Sequence, residues 1–409
     1  MLGAAGTSQA ATYAPLNQPG PPLSVPAAAL RASLKCEPSV TNAKVEPVLL
    51  NPATGVTPEE NYSWNWEPAL DQLGIPWCAY TAPNHTLNDI QTSGEYLVYA
   101  IRTMYGLAHR KIAIIGHSQG GMSMRWPLRF WPDTRAMVDD VIGFSGSNHG
   151  TTVLAPGMCA TGCPPADWQQ GYESNFIRAL NSGAETFPGI SYTEIYTHTD
   201  EVVQPNSGPN ATAAVHTGGG EITNVATQDI CPADRYEHLT IGTVDPVAYA
   251  LAVDALTHAG PANPARIPQS VCSQVAMPGV NPVAANTLLQ LVDSLPTLAS
   301  VTVGPLAGAT AGAPVVTAEP SLECYVFAAC TGAAAPTLRI SITRHRHLIR
   351  VLVRTLEGDY LVPVAGATVT FAGRRKRTNA RGIARFRSRH AKGRIVVQLA
   401  GCNPAAQKF

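Results

Sequence analysis

The sequence predicts an α/β protein with a mostly parallel sheet, followed by a small β-sandwich. Through most of the 409-residue chain, short apolar runs alternate with segments of helical periodicity, which is typical of α/β folds. Towards the end of the chain, apolar and polar residues alternate in short runs separated by turn residues, which is typical of antiparallel strands.

The α/β part contains a series of predicted strands and helices. The clearest strand is Lys-Ile-Ala-Ile-Ile at 111–115, an apolar run that suits a strand buried on both faces of a parallel sheet. The predicted strands are 44–50, 111–115, 138–144 and 190–196, and the predicted helices are 88–105, 122–130 and 246–256.

The charge distribution divides the chain near residue 335. Residues 335–409 hold 16 Lys or Arg and 2 Asp or Glu, whereas the first 334 residues hold 12 and 26, although the net charge of the whole chain is zero. Stretches rich in Ala, Gly and Pro at 303–314 and 332–336 are typical of a linker. We therefore expect a large α/β domain over 1–334 and a small, basic β-sandwich domain over 335–409.

The composition also limits the class of protein. Only 14% of residues are charged, which leaves ample apolar material for a large core, and no run of 18 apolar residues indicates a membrane span. Nine cysteines favour an oxidising compartment, so we expect a secreted protein with at least one cysteine outside an internal disulfide. No cysteine and histidine cluster has zinc-like spacing, and we expect no metal and no cofactor.

A short motif between a predicted strand and a predicted helix carries the chemistry. Gly-His-Ser-Gln-Gly at 116–120 has the glycine spacing of a sharp turn that exposes a central serine, Ser118. The start of the following helix would offer backbone N–H groups to an oxyanion. The motif indicates a serine nucleophile, and the alternative is a structural glycine turn.

A serine nucleophile needs a base and an orienting acid, which follow it in the order acid, then histidine, in this kind of turn. Asp200 comes just after the predicted strand 190–196, and His238 precedes the predicted helix 246–256. On pattern alone Glu201 competes with Asp200, and His238 could instead cap a helix or lie on the surface.

Several segments in the same order match one family. They are Pro-Val-Leu-Leu-Asn-Pro-Ala-Thr-Gly at 47–55, Leu-Asn-Asp at 87–89, Ser-Gln-Gly-Gly at 118–121, Thr-Asp-Glu-Val-Val-Gln-Pro at 199–205 and Asn-Pro-Val-Ala-Ala-Asn at 281–286. Over roughly residues 30–330 the chain resembles the Candida antarctica lipase B-like family of α/β-hydrolases. The resemblance implies an α/β-hydrolase fold and a serine lipase or carboxylesterase acting on acylglycerols and other lipophilic esters.

The resemblance also implies functional residues. It implies a triad of Ser118, Asp200 and His238, with an oxyanion hole formed by Thr54 and Gln119.

In the substrate pocket the resemblance places Val202 and His117. The family has tryptophan at the position before the nucleophile, where this chain has His117, and threonine before that, where this chain has Gly116. We therefore expect a roomier alcohol side of the pocket and weaker selectivity between enantiomers of secondary alcohols; the alternative is that His117 points away from the pocket and only fills space.

Four disulfides follow from the same comparison. Cys36–Cys78 and Cys231–Cys272 match two bridges of the family. Cys159–Cys163 would close a local loop where the family has a short mobile helix over the pocket. Cys324–Cys330 would take the place of the family's remaining bridge, which leaves Cys402 without a partner in the chain.

The basic tail has a separate resemblance. Segments 363–371 and 378–386 resemble bacterial Ig-like and carboxypeptidase-regulatory-like repeats. The basic runs at 374–377 and 381–394 suit an anionic polymer or lipid surface, although they could instead dock on the acidic body or keep copies apart. Nucleic acid is not expected, because the tail lacks an aromatic platform motif.

The overall expectation is a monomeric enzyme that works at a lipid–water interface. A polyester or cutin hydrolase is a rival of the same chemistry. A non-catalytic surface-binding protein is a rival of another class.

Overall fold

The computed structural model describes residues 12–154, 158–281, 283, 312–330, 338–357, 360–364, 366–379, 381–388, 392–399 and 404–409. The expected domain boundary near 335, the expected single cysteine Cys402 and most of the matched segment 281–286 lie outside the described residues.

The larger body is built on one seven-stranded sheet. Its strands are β1 (Leu34–Cys36), β2 (Val48–Asn51), β3 (Trp77–Tyr80), β4 (Ile112–His117), β5 (Val138–Phe144), β6 (Ser191–Tyr196) and β7 (Glu221–Ala226). The order across the sheet is β1-β3-β2-β4-β5-β6-β7. All neighbours are parallel except β1 and β3, which confirms the predicted mostly parallel sheet.

Helices cover both faces of this sheet. They are α1 (Ala27–Ser33), α2 (Pro58–Tyr62), α3 (Trp66–Leu73), α4 (Ile90–Ala108), α5 (Gln119–Ser123), α6 (Arg125–Phe130), α7 (Pro165–Gln170), α8 (Asn175–Leu180), α9 (His238–Ile241) and α10 (Pro246–Thr257). Every residue of β4 is buried, because successive side chains enter two different cores. Ile112 and Ile114 pack on the side of α4 and α6, whereas Ala113 and Ile115 pack on the side of α3 and α10.

Each predicted element of the larger body has a counterpart, but one predicted helix is divided and three strands, β1, β3 and β7, were not predicted. The predicted helix 122–130 is two short helices, α5 and α6, which meet at Met124. Strands β1 and β3 have only three and four residues, too short for a clear pattern. The sequence of strand β7, Glu-Ile-Thr-Asn-Val-Ala, has too few apolar residues to stand out. It is an edge strand, and only its last two residues are buried.

One stretch, His238–Thr257, is long and apolar enough to cross a membrane by composition, and 72% of its most apolar window is buried inside the protein. The stretch comprises α9 and α10, and α10 packs its apolar residues against β5 and β6. Burial of this extent is typical of a helix in the core of a globular protein.

The tail contains two antiparallel sheets. In the first, β9 (Leu348–Glu357) pairs with β8 (Arg339–His345), β10 (Tyr360–Pro363) and β13 (Ile383–Arg387). The second has the order β12-β11-β14-β15, formed by Arg374–Arg377, Thr368–Phe371, Arg394–Gln398 and Ala405–Lys408. Side chains from both sheets share one hydrophobic core drawn only from residue 338 onwards.

Four disulfides join the pairs that the sequence analysis expects. They are Cys36–Cys78, Cys159–Cys163, Cys231–Cys272 and Cys324–Cys330. The first joins β1 to β3 at a directly paired position of the sheet. The third joins residues on either side of α9 and α10.

Candidate active site

Ser118 lies on a strained turn between β4 and α5. Its backbone has φ 56° and ψ −124°, a conformation that non-glycine residues rarely adopt and that is common at functional sites. The flanking glycines make the turn possible, because a Cβ on Gly116 would lie 2.3 Å from the Gly120 carbonyl oxygen. A Cβ on Gly120 would lie 2.2 Å from the Asn51 carbonyl oxygen. The Gly-x-Ser-x-Gly spacing is therefore a steric requirement of this turn.

Three side chains from separate loops meet in one line of hydrogen bonds. The Ser118 Oγ lies 2.9 Å from His238 Nε2, and His238 Nδ1 lies 2.9 Å from Asp200 Oδ2. All three residues are buried, with exposed fractions of 5%, 8% and 3%. Asp200 follows β6 at the carboxyl edge of the sheet, the same edge at which β4 delivers Ser118.

Backbone groups hold the Asp200 carboxylate in place. Its Oδ1 accepts hydrogen bonds from the N–H groups of Val202 at 2.9 Å and Val203 at 2.8 Å, which leaves Oδ2 for His238. Glu201, the competing acid, instead accepts the His238 backbone N–H at 3.4 Å. Of the two acids, it is therefore Asp200 that contacts the imidazole.

The surroundings of His238 favour its protonated form. Burial lowers the pKa of His238, but the charge and hydrogen bond of Asp200, with the further charges of Glu201 and Glu237, outweigh burial and raise the pKa above its usual 6.5. The same crowding acts on Glu201, whose pKa is raised to about 7 by burial and by Glu237. A base with a raised pKa accepts a proton from serine more readily.

Thr54 and Gln119 lie beside Ser118 and contact each other. The Thr54 hydroxyl donates to Gln119 Oε1 at 2.9 Å, and Gln170 Nε2 donates to the Thr54 hydroxyl at 3.0 Å. Gln119 Nε2 also donates to the Thr86 carbonyl at 3.0 Å. Within the described part of the chain, neither the Thr54 nor the Gln119 backbone N–H donates to another protein group. Two backbone donors therefore remain open, one on the residue after Ser118 and one on Thr54, which lines the same pocket as Ser118.

Comparison with known proteins identifies the family. Residues 95–243 match the family model of class 2 lipases. Lipase B from Pseudozyma antarctica is 30% identical over 324 residues, which are 77% of this chain and 91% of that protein. The chain belongs to the lipase B family. It is therefore a serine carboxylic-ester hydrolase of the lipase type.

A solved structure agrees with this assignment. The crystal structure of Aspergillus fumigatus lipase B has 33% sequence identity and a TM-score of 0.63, over 74% of this chain and 73% of that one. The α/β-hydrolase fold that the sequence predicts for this lipase B family member is confirmed.

His117, the residue before Ser118 in this lipase, is buried and makes two hydrogen bonds. Its Nε2 lies 2.8 Å from the His238 carbonyl oxygen, and its Nδ1 lies 3.3 Å from Asn61 Nδ2. Burial, together with repulsion by His238, lowers the pKa of His117 to about 4. The ring is therefore neutral at pH 7, donating from Nε2 and accepting at Nδ1.

Asn61 extends this contact to the loop that carries Thr54. Asn61 Oδ1 accepts the Ala53 backbone N–H at 2.9 Å, so one buried series of bonds connects Ala53, Asn61, His117 and the His238 backbone. We call this series the buried relay. Sequence reasoning missed Asn61, although Thr57 and the residue three positions later, Glu60, form a capping box that predicts the helix on which Asn61 lies.

The pocket in front of Ser118 has a largely apolar lining. His117 and Val202, the two expected pocket residues, both line it. Further apolar surface comes from Val56, Leu239 and Trp64, and the last of these is 40% exposed. The arrangement suits an apolar substituent on either side of an ester carbonyl placed against Ser118.

The loop closed by Cys159 and Cys163 is attached to a distant part of the lipase. Cys163 and Val316 exchange two backbone hydrogen bonds of 3.0 and 2.9 Å. Trp168 on α7 donates to the Val316 carbonyl at 3.0 Å. The same helix carries Gln170, so this loop is linked to the Thr54 hydroxyl through α7.

Among the described residues, three carboxylates lie close enough together to hold a metal ion. One oxygen each of Glu46, Asp139 and Asp140 lies within 4.8 Å of the others, at the amino edge of the sheet and away from Ser118. Lys111 Nζ contacts Asp139 at 2.7 Å. Burial and mutual repulsion raise the pKa of Glu46, which favours a proton on that carboxyl.

Proposed function

We propose that this chain is a secreted lipase that hydrolyses acylglycerols and other lipophilic esters through an acyl-enzyme on Ser118. The observation that carries the proposal is the continuous hydrogen bonding from Ser118 through His238 to Asp200. Each of these contacts has the length expected for a nucleophile, its base and an orienting acid.

In the first half-reaction His238 Nε2 takes the Ser118 proton as Oγ attacks the ester carbonyl. Asp200 holds the Nδ1–H tautomer and stabilises the imidazolium that forms. The protonated His238 then gives its proton to the departing alcohol, which leaves an acyl group on Ser118. Water attacks the acyl group with His238 again as base, releasing the fatty acid and the free serine.

The negative charge of each tetrahedral intermediate needs donors fixed in advance. We assign this role to the backbone N–H groups of Thr54 and Gln119 and to the Thr54 hydroxyl. Both backbone donors are open. The Thr54 hydroxyl donates to Gln119 Oε1 and accepts from Gln170, so it must exchange its bond to Gln119 for one to the oxyanion. Removing one such donor typically lowers kcat by about 10²–10³-fold.

An apolar pocket beside the nucleophile supports lipophilic substrates. Two residues of its lining, Trp64 and Leu239, offer apolar surface to an acyl or alcohol chain. Such substrates collect at a lipid–water interface, where we place the working enzyme. A polyester or cutin hydrolase has the same chemistry and differs in the size of substrate that reaches Ser118.

Four disulfides support an oxidising, extracellular location. We further propose that residues 1–334 and 335–409 are separate domains in a monomer, with an Ig-like or carboxypeptidase-regulatory-like module in the second. A hydrophobic core confined to residues from 338 onwards supports that division.

Hydrolysis of p-nitrophenyl esters from acetate to palmitate tests the proposed function. We expect the parent to prefer medium or long acyl chains and Ser118→Ala to lose activity on all of them. Ser39→Ala, which removes an exposed serine, is the matched control and should retain full activity. Activity retained in Ser118→Ala would refute the assignment. A film of polyester degraded faster than emulsified triacylglycerol would favour the rival substrate.

A further inference from the structure

The exposed face of the first tail sheet concentrates positive charge. Arg385 on β13 stands directly opposite Arg350 on β9, and both side chains are exposed. Like charges at directly opposed positions destabilise a sheet. Among the described residues, no ion pair with an acid involves either arginine. An anion outside the chain would relieve this repulsion.

A cavity of about 420 Å³ opens at one end of the tail. Its lining consists of His347, Phe371, Ala372, Arg374, Phe386, Arg387 and Ser388, none of them acidic. The buried rings of Phe371 and Phe386 lie 5.8 Å apart, edge to face. Arg374 and Arg387 are exposed, and they come from different sheets. The cavity therefore combines an aromatic wall with two guanidinium groups that can each bind a phosphate through two hydrogen bonds.

An exposed apolar residue lies at the same end. Leu348 is 40% exposed and pairs with Arg387 in the register of β9 and β13. An apolar side chain surrounded by cations is typical of a surface that contacts anionic lipid, because the cations bind headgroups while the apolar group enters the boundary layer. Binding of single-stranded nucleic acid instead requires aromatic faces open to stacking, and both phenylalanines here are at most 3% exposed.

We propose that this cavity binds the phosphate of an anionic phospholipid headgroup and so holds the enzyme on lipid surfaces. We call it the headgroup pocket. The inference rests on the proposed function only in that a lipase finds its substrate at such surfaces. The pocket is a binding site without chemistry of its own, on the tail and not on the body that carries Ser118.

The test measures binding of the full chain to vesicles of phosphatidylcholine with and without phosphatidylglycerol. All proteins carry Ser118→Ala, so that no lipid is consumed. The variant Arg374→Ala/Arg387→Ala removes two charges at the headgroup pocket, and we expect about thirty-fold weaker binding to anionic vesicles. The matched control, Arg339→Ala/Arg377→Ala, removes one exposed arginine from each sheet at the end opposite the pocket. We expect the control to lose less than about three-fold.

Further measurements distinguish a lipid headgroup from free phosphate and from nucleic acid as the ligand. Inorganic phosphate should displace the protein from anionic vesicles more effectively than chloride at equal ionic strength. Equal losses in both double variants would overturn the pocket in favour of diffuse charge. Binding of phosphate or single-stranded DNA without binding of anionic vesicles would overturn the lipid headgroup.

Hydrolysis of a soluble short-chain ester is measured on the same variants with Ser118 restored. Unchanged rates there show that the body is intact, whatever the vesicles do. A lack of esterase activity in the parent would count against the proposed function and leave the vesicle measurement valid. The variant Arg374→Lys/Arg387→Lys keeps the charge without the guanidinium fork, and its binding should fall between that of the parent and the alanine variant.

Discussion

The buried relay predicts that His117 positions His238, the proposed general base. His117 donates to the His238 carbonyl at 2.8 Å and accepts from Asn61 at 3.3 Å, and it is 2% exposed. Replacing His117 with phenylalanine keeps a ring of similar shape but removes both bonds. Two buried groups, the His238 carbonyl and the Asn61 amide, then lack a partner.

The cost of this change follows from its geometry. Each orphaned buried group costs about 1–3 kcal/mol, so His117→Phe should lower the free energy of unfolding by roughly 2–6 kcal/mol. The His238 ring contacts Ser118 at 2.9 Å, and a small displacement of its backbone lengthens that contact. A misplacement of about 1 Å lowers rates by about 10²-fold, so we expect kcat to fall about 10–100-fold with KM little changed.

Urea unfolding and steady-state hydrolysis of p-nitrophenyl butyrate measure the two effects separately. His117→Gln is the rescue control, because its amide can still donate to the His238 carbonyl, and it should recover part of kcat. A His117→Phe protein with lowered stability and unchanged kcat would refute the positioning role. Unchanged stability would refute the relay altogether.

Four further predictions concern the candidate active site and a loop linked to it. Because the pKa of His238 is raised above 6.5 and catalysis needs the neutral ring, kcat/KM should rise with pH through a pKa above 6.5. Asp200→Asn should lower that pKa and reduce kcat by about 10³–10⁴-fold, whereas an unmoved pH profile would contradict the assigned charge effect. Removing the local bridge in Cys159→Ser/Cys163→Ser should speed backbone hydrogen exchange of its loop and leave that of the strained turn at Ser118 unchanged; equal exchange would show that the bridge does not stiffen the loop. His117→Trp should narrow the alcohol side and increase the ratio of rates for the two enantiomers of a secondary-alcohol ester, and an unaltered ratio would disprove the roomier pocket.

The strained turn at Ser118 is predictable because its causes are local. At Gly116 and Gly120 a side chain would bring its Cβ within 2.4 Å of backbone atoms, so both positions require glycine. The apolar strand before them is recognisable by composition. The order of acid and histidine narrows the remaining choice, but pattern alone leaves Asp200 and Glu201 competing. The folded structure distinguishes them, because the backbone N–H groups of Val202 and Val203 bind the Asp200 carboxylate and orient it towards His238.

The buried relay is not predictable in the same way. Asn61 and His117 are 56 positions apart, and nothing in either local sequence specifies their contact. The tail presents a similar limit, because the cationic run at 374–377 looks like a solvated segment and yet forms an edge strand paired with β11. Strand pairing supplies that order, and it depends on Thr368–Phe371 rather than on the run itself.

The burial of Asn61 has a practical consequence for making the enzyme. Asn61-Tyr62-Ser63 is an acceptor sequence for N-linked glycosylation, and in the folded chain Asn61 is 4% exposed with its amide directed at His117. A host that modifies nascent chains during translocation would attach a sugar before folding, and that sugar has no space inside the body. We expect such a host to secrete two populations, of which only the one lacking a glycan at this asparagine is active.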